Sequence, residues 1–134
     1  MREIKFRAWN RNDRKMYTPD SKGIIIEING YNQFWIKDTK HLQEWFLGNN
    51  LDSNLMQFIG RQDVNGKDIY EGDIVECEYF RTKTINEVKW NMHIVGFDPF
   101  CVPCDYDEVY YDEDAIKVIG NIYENPELLE DKKW

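Results

Sequence analysis

Cys101 and Cys104, separated by two residues, bring the sequence nearest to a reactive or metal-binding motif. A redox pair at this spacing works from a helix N-terminus, where the dipole lowers the thiol pKa. No helical periodicity follows Cys104, so ordinary thiols in a turn are expected. As half of a zinc site the pair lacks a matching second half, since only Cys77, His41 and His93 remain to complete it. Cys101 and Cys104 stand as bare candidate ligands, and no cofactor or metal is expected.

Carboxylates crowd the next stretch, in Asp105-Tyr106-Asp107-Glu108 and Asp112-Glu113-Asp114. An EF-hand calcium loop needs Gly at its sixth position and Glu at its twelfth. Counted from Asp105, those places hold Tyr110 and Ile116, so the pattern fails. Tyr106, Tyr110 and Tyr111 interleave with the acids, which suits an aromatic contact surface for a partner. It also suits a mimic of DNA phosphates that occupies a DNA-binding enzyme. A solvated loop is the plainer reading of such a charge run. Nothing assembles for catalysis: there is no Gly-rich phosphate loop, nucleophile elbow or His-Glu-x-x-His helix. His41 and His93 each adjoin an apolar residue, Leu42 and Ile94. No enzyme is expected.

These residues need elements to position them. At 134 residues, 42% hydrophobic and 15% aromatic, the chain has the length and core material of one ordinary domain. No apolar run approaches the roughly 20 residues of a membrane span. The N-terminus alternates charged and apolar residues and lacks the apolar run of a secretion signal. With three cysteines, an odd count, a reducing compartment and a cytoplasmic location are expected. The net charge of −8 argues against generic duplex binding. Yet Met1–Lys15 carries six basic residues against two acids, and 100–134 carries ten acids against three lysines. That asymmetry leaves room for a local nucleic-acid contact and for head-to-tail self-association.

Strand-like alternation dominates. Ile4, Phe6 and Ala8 share one face of a first strand, and Met16-Tyr17 returns as its hairpin partner. Ile24 to Ile28 is β-branched, and Asn29-Gly30 predicts a tight hairpin turn before Tyr31 to Ile36. Leu42, Trp45 and Phe46 fall at helical spacing, with Asp38 or Thr39 as cap and Gly48 as stop, which predicts one helix over 40–47. Leu55 to Ile59 is a strand, and Asn65-Gly66 is another tight turn. Ile74 to Tyr79, Thr84 to Trp90, His93 to Phe97, Val109 to Tyr111 and Ile116 to Ile119 complete a set of short strands. Their spacing suits a small barrel or sandwich. Asn125-Pro126 opens a last helical turn.

Three stretches together resemble the YopX family of phage and prophage proteins. They are Met1-Arg2-Glu3-Ile4-Lys5-Phe6-Arg7-Ala8-Trp9, then Leu55 to Gly60 with Asp63-Val64-Asn65-Gly66-Lys67-Asp68-Ile69-Tyr70-Glu71-Gly72-Asp73-Ile74-Val75, and Val118 to Leu128. The family has Thr-Gly-Leu where this chain has Ile59-Gly60-Arg61, and Gly60 keeps the turn. The resemblance implies a mostly β fold. An SH3-like small barrel over 55–134 follows an N-terminal β-rich segment, 1–54, packed on it as a single YopX-like domain. It implies no activity. Gly66, Tyr70, Glu71, Gly72, Asp73, Gly120, Asn121, Tyr123 and Pro126 are the motif positions. Glycine's permissive backbone and the local hydrogen bonding of Asp and Asn give them structural roles.

The leading expectation is a non-enzymatic accessory protein that binds a host or phage protein. Trp9, Tyr31, Trp35 and Trp134 are contact candidates beside Tyr106, Tyr110 and Tyr111, because outward aromatics call for a cover. The alternatives are a small barrel that binds single-stranded nucleic acid through its basic N-terminal strand, or the acidic mimic.

Overall fold

The computed structural model describes residues 3–11, 13–19, 22–31, 33–49, 55–79, 82–92, 96–99 and 116–130. Among them are twelve strands and one short helix. They divide into two units, Met1–Phe58 and Ile59–Trp134.

In the first unit, β1 (Phe6–Asn10) and β2 (Lys15–Tyr17) form the expected antiparallel hairpin, with Ala8 opposite Tyr17 and Trp9 opposite Met16. The other side of β1 pairs with the start of β6 (Leu55–Gln62), Arg7 facing Met56 across the ladder. With a neighbour on either side, β1 is buried from Arg7 to Asn10, so one-sided alternation does not describe it. A second sheet is a meander of β3 (Ile24–Ile28), β4 (Gln33–Asp38) and β5 (Gln43–Asn49). Its apolar face meets the first sheet's in a cluster of Ala8, Tyr17, Phe34 and Ile36, with Ile24, Ile26 and Leu55 packed against it. Burial of this apolar surface is the unit's main favourable term.

The helix expected over 40–47 is instead a hairpin turn followed by β5. Strand pairing starts at Gln43 opposite Asp38 and continues with Trp45 opposite Ile36. Three apolar residues at helical spacing also suit a short strand, and aromatic residues favour strands when a partner ladder is present. The cap signal at Asp38 was sound: its Oδ1 accepts the amides of Lys40 and His41, both at 3.1 Å. It caps a turn. Leu42, with φ of 53°, then reverses the chain. At Asn29-Gly30 the connection is also longer than a two-residue turn. Asn29 Oδ1 accepts the amides of Tyr31 and Gln33, and β4 begins only at Gln33.

The second unit continues from β6 into β7 (Asp68–Tyr70). Gly66, at φ of 78°, gives its amide to the Asp63 carbonyl in the turn between them, as Asn65-Gly66 predicts. β8 (Asp73–Tyr79) lies between β9 (Thr82–Glu87) and β12 (Ile116–Asn121), all antiparallel. β10 (Lys89–Asn91) and β11 (Gly96–Asp98) form a separate hairpin. The core is Ile69, Val75, Cys77, Val88, Ile116 and Val118, with Ile59 against it. Cys77 is a fully buried thiol of this core. The helix α1 (Glu127–Glu130) follows Asn125-Pro126, whose carbonyls accept the amides of Leu128 and Leu129. The expected strand over 109–111 lies outside the described residues. Among the described residues no helix is long and apolar enough to cross a membrane.

Candidate functional site

The motif positions are spent on the backbone of the second unit. Asp73 is buried, and its Oδ2 accepts the Tyr70 amide at 2.9 Å. Between them Gly72 takes a φ of 84° and donates to the Val88 carbonyl, while its own carbonyl accepts from Ile122. Val88 in turn donates to the Asp73 carbonyl. Three chain segments are thus tied at one point. Asn121 Oδ1 accepts the amides of Tyr123 and Glu124, and its own amide donates to Asn125 Oδ1. A Cβ at Gly120 would stand 2.5 Å from that same Asn125 oxygen, so the position needs glycine. Tyr70 is buried, Glu71 and Tyr123 are half-buried, and Gly66 and Pro126 are exposed.

Asp63 is a further tie. It is buried; Oδ1 accepts the amides of Asn65 and Lys67, both at 2.9 Å, and Oδ2 accepts that of Val118 at 3.0 Å. Burial pushes this carboxyl up, but the donors of Val118, Lys67 and Asn65, with the Lys67 charge, hold it below its ordinary 3.8. The sequence places Asp63 in a turn and carries no sign of its reach to β12.

What remains outside these ties is displayed on the hairpins of the first unit. A cleft of about 470 Å³ is lined by Lys15, Met16 and Tyr17 of β2, Lys22 and Ile24 around the start of β3, and Asp38, Lys40 and His41 of the β4–β5 turn. Strand pairing fixes that turn, since Ile24 lies opposite Asp38 and Asp38 opposite Gln43. At the other anchor, the Gly23 carbonyl accepts both the amide and the hydroxyl of Thr39. His41 Nδ1 sits 2.9 Å from Asp38 Oδ2. That bond, against partial desolvation and with the turn amides, holds the Asp38 carboxyl below its ordinary range. The Tyr17 hydroxyl donates to Asp13 at 2.6 Å, and burial first, then Asp13, pushes it up to about 12. Lys15 lies over the Tyr17 ring, 5.3 Å from its centroid. Beside the cleft Leu42 is 91% exposed in a left-handed conformation.

Of the aromatic contact candidates, Trp9 is buried, Trp35 half-buried and Tyr31 84% exposed at the β3–β4 turn. Trp35 flanks a charged row on the solvent side of the meander, where Lys37 Nζ meets Glu27 at 2.6 Å and Glu44 at 3.9 Å. Tyr106, Tyr110, Tyr111, Trp134, Cys101, Cys104 and His93 lie outside the described residues. Sequence reasoning counts Lys15 in the basic N-terminal stretch but singles out neither Lys22 nor Lys40, and it reads Leu42 as part of a helix face. The usable signal was the polar run Asp38-Thr39-Lys40-His41 between two strand-like stretches, which is turn chemistry.

The sequence profile of a family described as YopX protein matches residues 5–130. The SPbeta prophage-derived uncharacterized protein YopX of Bacillus subtilis strain 168 is 29% identical, the match covering 96% of this chain and 97% of that one. Among solved structures, protein yopX from Bacillus subtilis superposes with a TM-score of 0.62 at 26% identity, over 99% of this chain and 100% of that one. Protein EF1440 from Enterococcus faecalis gives 0.57 at 25% identity, over 96% and 99%.

Proposed function

Because the chain belongs to the YopX family, we propose that it is a non-enzymatic prophage accessory protein that binds a partner protein in the host cytoplasm. In this reading the second unit is an SH3-like small barrel serving as scaffold. The contact face is the β4–β5 hairpin of the first unit. One observation carries the assignment. Leu42 is almost fully exposed at a backbone conformation that costs an L-residue about 1 kcal/mol, which glycine would avoid. A large apolar side chain at that place serves neither packing nor backbone stability, and cover by a partner would bury it. Asp38 supports binding rather than catalysis, because its carboxylate is committed to closing the turn that presents Leu42.

Affinity capture from host lysate, run with and without nuclease, with the full chain and its Leu42→Gly variant, tests the reading. A partner held by the parent and lost by the variant is the expected result. A partner retained equally by both moves the contact face elsewhere. Recovery of nucleic acid alone, released by salt, favours the single-strand reading instead, which the lysines of the cleft support.

A further inference from the structure

We infer that the cleft between β2 and the β4–β5 turn receives an acidic segment of the partner protein, its carboxylates on Lys15 and Lys40 and its apolar residues on Leu42. The inference rests on the reading of this hairpin as a contact face and adds the chemistry of what it holds.

The cleft is cationic in a chain whose net charge is −8. Among the described residues, three lysines line it against the carboxylate of Asp38. Two of the lysines come from places far apart in sequence, Lys15 on β2 and Lys40 in the turn, and both are exposed. Convergence of like charges from separate hairpins raises the local potential and costs self-repulsion, which an anion relieves. Lys15 is also steadied over the Tyr17 ring. Asp38, by contrast, is turned to the amides of Lys40 and His41 and to the His41 ring, so its charge is already shared.

Three features favour a peptide carboxylate over a nucleic-acid phosphate. Among the described residues lining the cleft, Tyr17 carries the only phenyl ring, and at 7% exposure it offers no open face for stacking a base. The lip is apolar, with Leu42 exposed and Met16 and Ile24 half-buried in the lining, which matches side chains rather than a sugar-phosphate chain. The acidic remainder of the molecule disfavours a long polyanion but tolerates a short segment with a few charges.

The test is fluorescence anisotropy on the full chain with a short labelled peptide alternating Glu with Leu, beside the same peptide carrying Lys for Glu, one carrying Ser for Leu, and a labelled single-stranded oligonucleotide. The Glu-Leu peptide is expected to bind, to weaken with salt, and to lose about tenfold or more in affinity in the Lys15→Glu/Lys40→Glu variant. Both sites are exposed, and a matching urea midpoint verifies that the variant folds. The Lys peptide should not bind, and the Ser peptide should bind less well. No binding of the Glu-Leu peptide, or binding indifferent to the charge reversal, overturns the inference. So does an oligonucleotide that binds more tightly and is lost in the same variant. If the peptide fails while capture of a partner still depends on Leu42, the acidic segment alone is wrong and the contact face stands.

Discussion

Asp63→Ala should cost the second unit about 3–5 kcal/mol. Its carboxylate serves three backbone donors, and they are not equivalent. Asn65 and Lys67 are exposed, so their amides regain water when the carboxylate goes, and each loses only the net worth of a solvent-exposed hydrogen bond, about 1 kcal/mol. The Val118 amide belongs to a buried residue on β12 and would be left without its acceptor, a loss of about 1–3 kcal/mol. Asp63→Asn keeps one carbonyl oxygen, and should lose roughly half as much. Urea unfolding of the full chain gives the total, and hydrogen exchange at the Val118 amide reports the specific bond. The pH dependence has a definite sign. Since the folded carboxyl lies below its ordinary 3.8, its contribution is complete above that value and disappears as pH falls through the folded value. The stability gap between parent and Asp63→Asn should therefore narrow below pH 3.8. An Asp63→Ala loss within about 0.5 kcal/mol, typical of ordinary surface positions, or unchanged protection at Val118, would refute the argument.

Gly120→Ala forces its new Cβ against Asn125, 2.5 Å from Oδ1 and 2.8 Å from Cγ, and should cost about 1–3 kcal/mol in denaturant unfolding. The same change in an Asn125→Gly background should cost at least about 0.5 kcal/mol less, because the two sites couple directly. Phe34→Ala, which empties a fully buried position of the first unit's core, should cost about 3–5 kcal/mol. Tyr17 favours the folded state fully below pH 10, and that advantage, at most about 2–3 kcal/mol, fades as pH rises towards 12. Alkaline melts of Tyr17→Phe should accordingly lose less stability over that range than those of the parent.

Strands marked by their own residues were legible: β3 by its β-branched run Ile24–Ile28, β8 by the alternation from Ile74 to Tyr79, and β12 from Ile116 to Ile119. Turns that use a residue's local chemistry were legible too, since Gly66 does adopt positive φ and Asn125-Pro126 does open a helix. The 40–47 stretch was misread because its fate is decided by β4, a partner outside the window in which helical spacing is counted. The same limit hid the functional candidates. Lys15 and Lys40 meet only after two hairpins have folded, and Asp63 shows its purpose only when β12 arrives 55 residues later. Leu42 was assigned to an apolar helix face, and it stands in solvent because the helix is absent.

The knot of backbone bonds in the second unit also bears on how the chain can be extended. Asp98 is held opposite Lys89, and Ile116 is held opposite Cys77, with its carbonyl accepting the amide of Val64. Asp98 and Ile116 are thus fixed by partners on other strands, and an insertion is felt according to how many such partners it displaces. Adding a single residue between Tyr70 and Asp73 would pull apart three segments at once.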